Sequence, residues 1–428
     1  MNFLHISALP VWSMDGKGGM PSLRETLKGH LAAGHHIELV LPQYDPFSDD
    51  EQPLFVPEGQ KLVLHFAPCR WLLTLKKLRI KARGKGDAVP FAFRWILNVG
   101  MLLGLTVSLM AKSFQVRRNG FVPQLVYAHN QYAALAGFLL GRWFKVPNVT
   151  RLYGTFLADL MNRPFVGLRY PTAAAGYLVP SSLLICANDG TRGDEVARKF
   201  GTPDHRFRFW QNGVEPPSQP PQVTRADLVA RFGPQLRLES RWAVSCSRLS
   251  YWKRIDRMLR ALAVCRGTGV DCQLVVAGDG PEKENLRTLA TELGVSDQVV
   301  WLGAVAHDDI WALMNTADMF MITNDVTNRC NPLYEAAWAG LPVLSVNDPS
   351  TSDLLHHREN ALLAEKDDKE ALGKLLAEIC RDEPLRERLG QAQKQLSETF
   401  WTWEERMRVE VAELEKLVPG VDVMTGGR

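Results

Sequence analysis

The sequence offers little for redox, metal or nucleic-acid chemistry. Its seven cysteines (69, 186, 246, 265, 272, 330 and 380) contain no C-x-x-C pair, which removes the dithiol redox motif and the thiolate zinc site together. Most of them fall in apolar stretches, so they read as reduced core thiols of a cytosolic compartment. The histidine pairs His35–His36 and His356–His357 are adjacent rather than at helical spacing, and no metal site is expected from them. A net charge of +3 is too mild to argue for nucleic acid, and no finger, zipper or RNA-binding signature accompanies it. No G-x-G-x-x-G directly follows a strand, which argues against a nicotinamide dehydrogenase. The opening MNFLHISALPVW lacks a basic region leading into a long apolar run, and it reads as a first strand instead of a signal peptide.

What is present is a soluble composition, 46% hydrophobic and 23% charged, spread over 428 residues. That length exceeds what one hydrophobic core usually supports, so two domains are expected. Short apolar runs alternate with helical patterns, the signature of parallel α/β sheets. Strands are predicted at 3–7, 37–42, 61–66, 125–129, 150–154 and 183–188, then at 242–248, 273–278, 298–303, 319–323 and 342–346. A helix over 22–33 sets Leu23, Leu27 and Leu31 on one face. VEPPSQPPQV, residues 214–223, packs four prolines into ten residues and cannot be a helix or central strand, so it reads as the linker. The expected organisation is a Rossmann-like domain over 1–215, a second over 225–395, and a helical tail, 396–428, returning to the first. Ligands in such sheets bind beyond the carboxyl ends of the strands, here in a cleft between the domains.

Four clusters occupy such ends. In TNRCNPLYEAAWAGLPVLSV, residues 327–346, Asn331 is the expected N-cap and Pro332 the first helical residue, with Gly340 and Pro342 ending a two-turn helix. The N-terminus of that helix would suit a phosphate. Glu335, placed in the first turn, either complements the helix dipole or accepts hydrogen bonds from vicinal hydroxyls. In SCSRLSYWKR, Arg248 and Lys253 either are solvated or pair with a diphosphate. Gly278 and Gly280 in AGDGP form a turn, with Pro281 starting a helix. WSMDGKGGMPSLRETL carries a glycine loop (Gly16, Gly18, Gly19) that would let backbone approach an anion.

Taken in order, these motifs, with VVWLGAVAHDDIWALMNTADMFM, WQNGVEP and HRENALLAEKDD, resemble the retaining GT-B glycosyltransferases of family four. The likeness is strong over 242–368, clear at 16–42 and loose between about 45 and 125. It implies a metal-independent enzyme of hexosyltransferase type. A nucleotide-diphosphate sugar would be its donor substrate, with no further cofactor. By position, Arg248 and Lys253 would neutralise the donor diphosphate and Glu335 would hold the ribose. Gly18 and Gly19 would close over the phosphates. Gly278, Thr327, Asn328, Asn331 and Leu333 would complete the donor site, with His129 and Tyr153 on the acceptor side. Two positions depart from the family pattern. Thr327 stands where the family has a first glutamate, and Tyr153 where many members have a histidine. Either Thr327, Asn328, Asn331 and Asp325 carry the sugar contacts, or the protein is an inactive donor-binding or scaffold protein. A GT-B phosphorylase or epimerase is the further alternative.

The poorly matched region is unusual. Residues 70–94 hold eight cations against one acid, Asp87, and lead into the largely apolar 95–111. The readings are a core helix with a solvated basic loop, an interfacial element on anionic lipid, or a membrane span. The second gives peripheral attachment through 70–112 at the inner face of the cytoplasmic membrane and a lipid-linked or envelope glycan acceptor.

Overall fold

The computed structural model describes residues 1–8, 21–43, 59, 61–69, 91–214 and 222–418. The glycine loop with Gly16, Gly18 and Gly19, most of the proline-rich stretch and the basic run 70–90 lie outside these. The chain forms two compact units, 1–213 with 403–428, and 214–402. The return to the first unit thus falls at Trp403 instead of 396.

The first unit holds a parallel sheet in the order β3-β2-β1-β4-β5-β6-β7. Its strands are β1 (Asn2–Ser7), β2 (His36–Gln43), β3 (Leu62–Pro68), β4 (Leu125–His129), β5 (Asn148–Leu152), β6 (Leu183–Ala187) and β7 (Phe207–Trp210). β4, β5 and β6 are buried at every position, as strands covered on both faces must be. β5 begins two residues earlier than expected. β7, FRFW, was not expected because its alternating Arg208 breaks the apolar run; that guanidinium pairs with Glu413. The helix Pro21–Ala32 buries Leu23 and Leu27 completely. It meets the helix Trp403–Glu415 so closely that a Cβ on Gly29 would stand 2.4 Å from Met407 Cγ.

The apolar stretch 95–111 belongs to a 28-residue helix, Phe91–Arg118, that connects β3 to β4 in this one sheet. It is long and apolar enough to span a bilayer. A span would nevertheless tear apart neighbours of one sheet, and Leu109 and Ser113 on its inner side are fully buried.

Behind the sheet lies a buried polar network. Glu410, fully buried on the last helix, is 3.1 Å from Arg151 Nη1 and 2.8 Å from Arg406 Nη2, and accepts from Tyr127 Oη at 2.6 Å. Burial alone would raise its pKa, but the two guanidiniums outweigh that and hold it well below the usual carboxylate range. An ionised carboxylate only accepts, so its charge favours an N–H on the imidazole nitrogen that faces it. His30 Nε2 stands 3.3 Å from Glu410 Oε1, in ion-pair range without hydrogen-bond geometry. With that proton on Nε2, His5 Nε2–H donates to His30 Nδ1 at 3.3 Å and His129 Nε2–H to His5 Nδ1 at 2.8 Å. Tyr153 O–H then donates to His129 Nδ1 at 2.7 Å. In that arrangement all three rings are Nε2–H tautomers; burial lowers the pKa of each and favours the neutral form.

The second unit holds β10-β9-β8-β11-β12-β13, again parallel. These are β8 (Arg241–Cys246), β9 (Cys272–Ala277), β10 (Val299–Gly303), β11 (Met319–Ile322), β12 (Val343–Val346) and β13 (Ala361–Ala364). β13 was missed; four residues of ALLA read equally as helix. Helices after Asp367 are capped by Asp368 and Asp382, each accepting from a backbone N–H three residues on. Six of the seven cysteines are buried and all are free thiols.

Two outcomes follow for the first unit. His5, His30 and His129 bind fewer protons folded than unfolded, so stability is lost as pH falls below the unfolded histidine value of about 6.5, by up to about 1.4 kcal/mol per pH unit for each ring. Denaturant titrations at stepped pH should show this slope, and a flat profile from pH 7 to 5 would refute the neutral chain. Glu410→Gln leaves two guanidiniums buried without counter-charge and should cost about 3–5 kcal/mol, read as a lowered melting temperature.

Candidate functional site

In the second sheet the strand order reverses between β8 and β11, so the loops leaving those two strands diverge and open a crevice. The loop after β8 is held from below by the loop after β9. Ser247 N–H donates to Ala277 O and Leu249 N–H to Asp279 O, both at 3.0 Å. Backbone contact is so close that a Cβ on Gly278 would lie 1.8 Å from Ser247 O, and one on Gly280 2.3 Å from Leu249 O. Gly278 also has φ +148°, which L side chains rarely adopt. Both glycines therefore seat the 247–249 loop, a role that needs no ligand. Pro281 precedes the next helix instead of starting it, the first helical residue being Lys283.

The seated loop presents Arg248, which is exposed and has no ion-pair or side-chain hydrogen-bond partner among the described residues. A short 3-10 turn, Tyr251–Lys253, follows, and Arg254 in left-handed conformation (φ 50°) opens the helix Ile255–Gly267. Lys253 is half-buried and close enough to Cys330 to draw down the thiol pKa that burial raises. Lys253 thus stands beside the N-terminus of the helix Asn331–Trp338, where Cys330 occupies the capping position. The neighbouring cations are committed to acids. Arg254 binds Asp256 at 2.8 Å and Asp325 at 3.0 Å, and buried Arg257 binds Asp325 at 2.6 Å. Asp325 is therefore engaged by two arginines and not available as a sugar contact.

Glu335 is buried at 6% exposure and its Oε1 lies 3.1 Å from His307 Nε2. It sits in the second turn of its helix, not the first, because Asn331 is the first helical residue and not the cap. Its charge contributes to raising the Cys246 thiol, after burial, which places it beside the end of β8. Sequence reading missed His307. It is the first residue of the helix that follows β10, a strand-end position where Rossmann-like sheets hold ligands.

Other expected residues are placed differently. Asn328 is fully buried: its Nδ2 donates to Asp348 Oδ2 at 2.9 Å and its Oδ1 accepts from Asn324 N at 2.8 Å, so both ends of the amide are spent on the loop. The Leu333 side chain is in the core, leaving only its backbone, whose N–H donates to Cys330 O at 2.9 Å. Thr327 Oγ1 accepts from Arg329 N at 3.0 Å. Asn331 is exposed at the helix start. His129 is fully buried within the first unit's histidine chain, so it is a structural link and cannot touch a substrate where it stands. The Tyr153 hydroxyl is turned onto it. Among the described residues no group of three His, Cys, Asp or Glu is arranged to hold a metal.

Residues 229–396 match the family described as glycosyl transferases group 1. Its two parallel Rossmann-like sheets give the chain the GT-B fold. It is 30% identical over 194 residues to a GDP-mannose-dependent alpha-(1-6)-phosphatidylinositol monomannoside mannosyltransferase of Mycobacterium tuberculosis, covering 44% of this chain and 49% of the relative. It is 33% identical over 129 residues to a lipopolysaccharide core biosynthesis glycosyltransferase of Rhizobium meliloti, covering 30% and 37%. The chain thus spans about half the length, or less, of these curated relatives. Sucrose-phosphate synthase of Thermosynechococcus elongatus superposes with a TM-score of 0.69 at 16% identity, over 97% of this chain and 98% of that one.

Gly278→Ala should cost at least about 2 kcal/mol through strain and the clash with Ser247 O. Gly267→Ala, with nothing within 4 Å of its Cβ, should leave the melting temperature unchanged. Equal melting temperatures for the two variants would show that the 247–249 loop is not seated as described.

Proposed function

We propose that the protein transfers a sugar from a nucleotide-diphosphate sugar to an envelope glycan or lipid-linked acceptor, with retention of anomeric configuration. The observation that carries the reading is the pair of cations at the end of β8. Among the described residues Arg248 has no acid partner, and Lys253 lies beside a helix N-terminus, while Arg254 and Arg257 are paired with Asp256 and Asp325. A diphosphate, with about two negative charges, fits that arrangement. Glu335, braced by His307, is the carboxylate for the ribose hydroxyls, and the names of the relatives supply the class of donor and acceptor to try first.

In the proposed reaction the bond between the anomeric carbon and the diphosphate oxygen breaks. The acceptor hydroxyl bonds to that carbon on the same face, and its proton passes to the departing phosphate oxygen. Arg248 and Lys253 stabilise the charge that develops on the leaving group. No dedicated protein base is required, which agrees with His129 being fully buried. The enzyme is read as cytoplasmic and attached peripherally to the inner face of the membrane.

A second reading, a protein that binds donor without turning it over, draws on Thr327, whose hydroxyl caps its own loop in place of an acid. A panel of nucleotide sugars beginning with GDP-mannose separates the two. The primary reading expects nucleotide release with a glycoside whose anomeric configuration matches the donor. An inverted product would contradict retention, and donor binding without release from any member would favour the second reading. Arg248→Ala should lower kcat/KM by about a hundredfold with an unchanged melting temperature, because this exposed side chain has no partner among the described residues; undiminished turnover would remove it from the site.

A further inference from the structure

The helix Phe91–Arg118 has two unlike faces. Leu97, Leu102, Leu105 and Leu109 are buried against the first sheet and its neighbours. The outward line Phe93, Ile96, Gly100, Leu103, Val107 and Ala111 recurs at three- and four-residue spacing and contains no polar side chain. Ile96 is 61% exposed, Leu103 50% and Val107 67%. Soluble proteins rarely leave a contiguous apolar surface of this extent uncovered.

A second element extends the face. Trp95 Nε1 donates to Leu168 O at 2.7 Å, and the Arg169 guanidinium lies 5.9 Å from the Phe91 ring. These contacts fix the short helix Val166–Arg169 beside the start of the long one. That segment presents Phe165 at 78% and Leu168 at 64% exposure. Phe165 holds φ +56°, a left-handed backbone that bulky residues seldom adopt. It thus offers a large apolar ring to the outside in a conformation that costs free energy and gains no packing there.

We infer that this surface, the outward line of the helix together with Phe165 and Leu168, is a docking face for an anionic lipid bilayer. Charge complementarity selects that occupant: residues 70–94, which lead along the chain into Phe91 and its first turn, carry eight cations against one acid. Apolar side chains would enter the acyl boundary, and the cationic sequence next to them in the chain favours anionic headgroups over neutral ones. The inference rests on the peripheral attachment proposed above and names the residues that would make it.

Co-sedimentation with phosphatidylglycerol-containing vesicles tests it, with phosphatidylcholine vesicles as the neutral arm. The expected result is binding to the anionic vesicles at low salt that weakens as salt rises, and little binding to the neutral ones. Ile96→Glu/Leu103→Glu/Val107→Glu should weaken binding at least tenfold at low salt. Phe165→Asn, which suits the left-handed backbone better than phenylalanine does, should weaken it without lowering the melting temperature. No binding at low salt would overturn the inference. So would binding unaffected by either variant, which would assign the attraction to the cations alone. So would a wild-type dimer, in sedimentation equilibrium, that the triple variant splits, since the face would then belong to a second copy. Nucleotide release in the same preparations reports separately on the sugar-transfer reading, so loss of one leaves the other standing.

Discussion

At the end of the second sheet, two stretches of backbone touch where side chains would ordinarily keep them apart. The carbonyl oxygens of Ser247 and Leu249 occupy the space that Cβ atoms of residues 278 and 280 would take, and glycine at both positions allows it. This contact fixes the loop from which Arg248 projects and sets where the 3-10 turn with Lys253 begins. The site's remaining features follow from that position. The loop after β11 spends Asn328 on Asp348 and Asn324, and so delivers the helix Asn331–Trp338 with its N-terminus near Lys253 and Glu335 on its inner side. Salt bridges then sort the cations. Arg254 and Arg257 are drawn to Asp325 and Asp256, and Arg248 is left exposed without an acid among the described residues.

The first unit is organised by the opposite economy of charge. Glu410, arriving from the far end of the chain, is buried between Arg151 and Arg406 and faces the first of three imidazoles, in a line ending at Tyr153. The network ties the last helix to β1, β4 and β5 through paired polar groups. Its cost is sensitivity to acid. The burial that keeps the rings neutral makes the folded state the poorer proton binder.

Most of the architecture was legible because parallel strands covered on both faces are written as apolar runs, and nearly all of those runs are strands. The exceptions have physical reasons. β7 alternates arginine with phenylalanine and satisfies its charge with Glu413, and β13 is too short to show a period. Arg248, Lys253 and Glu335 could be offered as candidates because strand ends and helix starts are recognisable from spacing. What spacing cannot show is which polar groups are already spent. Asn328 and Asp325 looked available and are bound within their own unit, and His129 looked like a strand-end base yet is sealed in the core. His307 was overlooked because its partner, Glu335, is distant in sequence and reaches it only through the fold.

The claim beneath all of this is that the end of β8 recognises the second phosphate of a nucleotide. The most direct measurement is a thermal-shift comparison of the wild-type protein with nucleosides, nucleoside monophosphates and nucleoside diphosphates at equal concentration, since a ligand of the folded state raises its stability by mass action. The account predicts stabilisation that grows sharply on adding the second phosphate and fades with salt. Equal shifts for nucleoside and diphosphate, or none from any base, would contradict it.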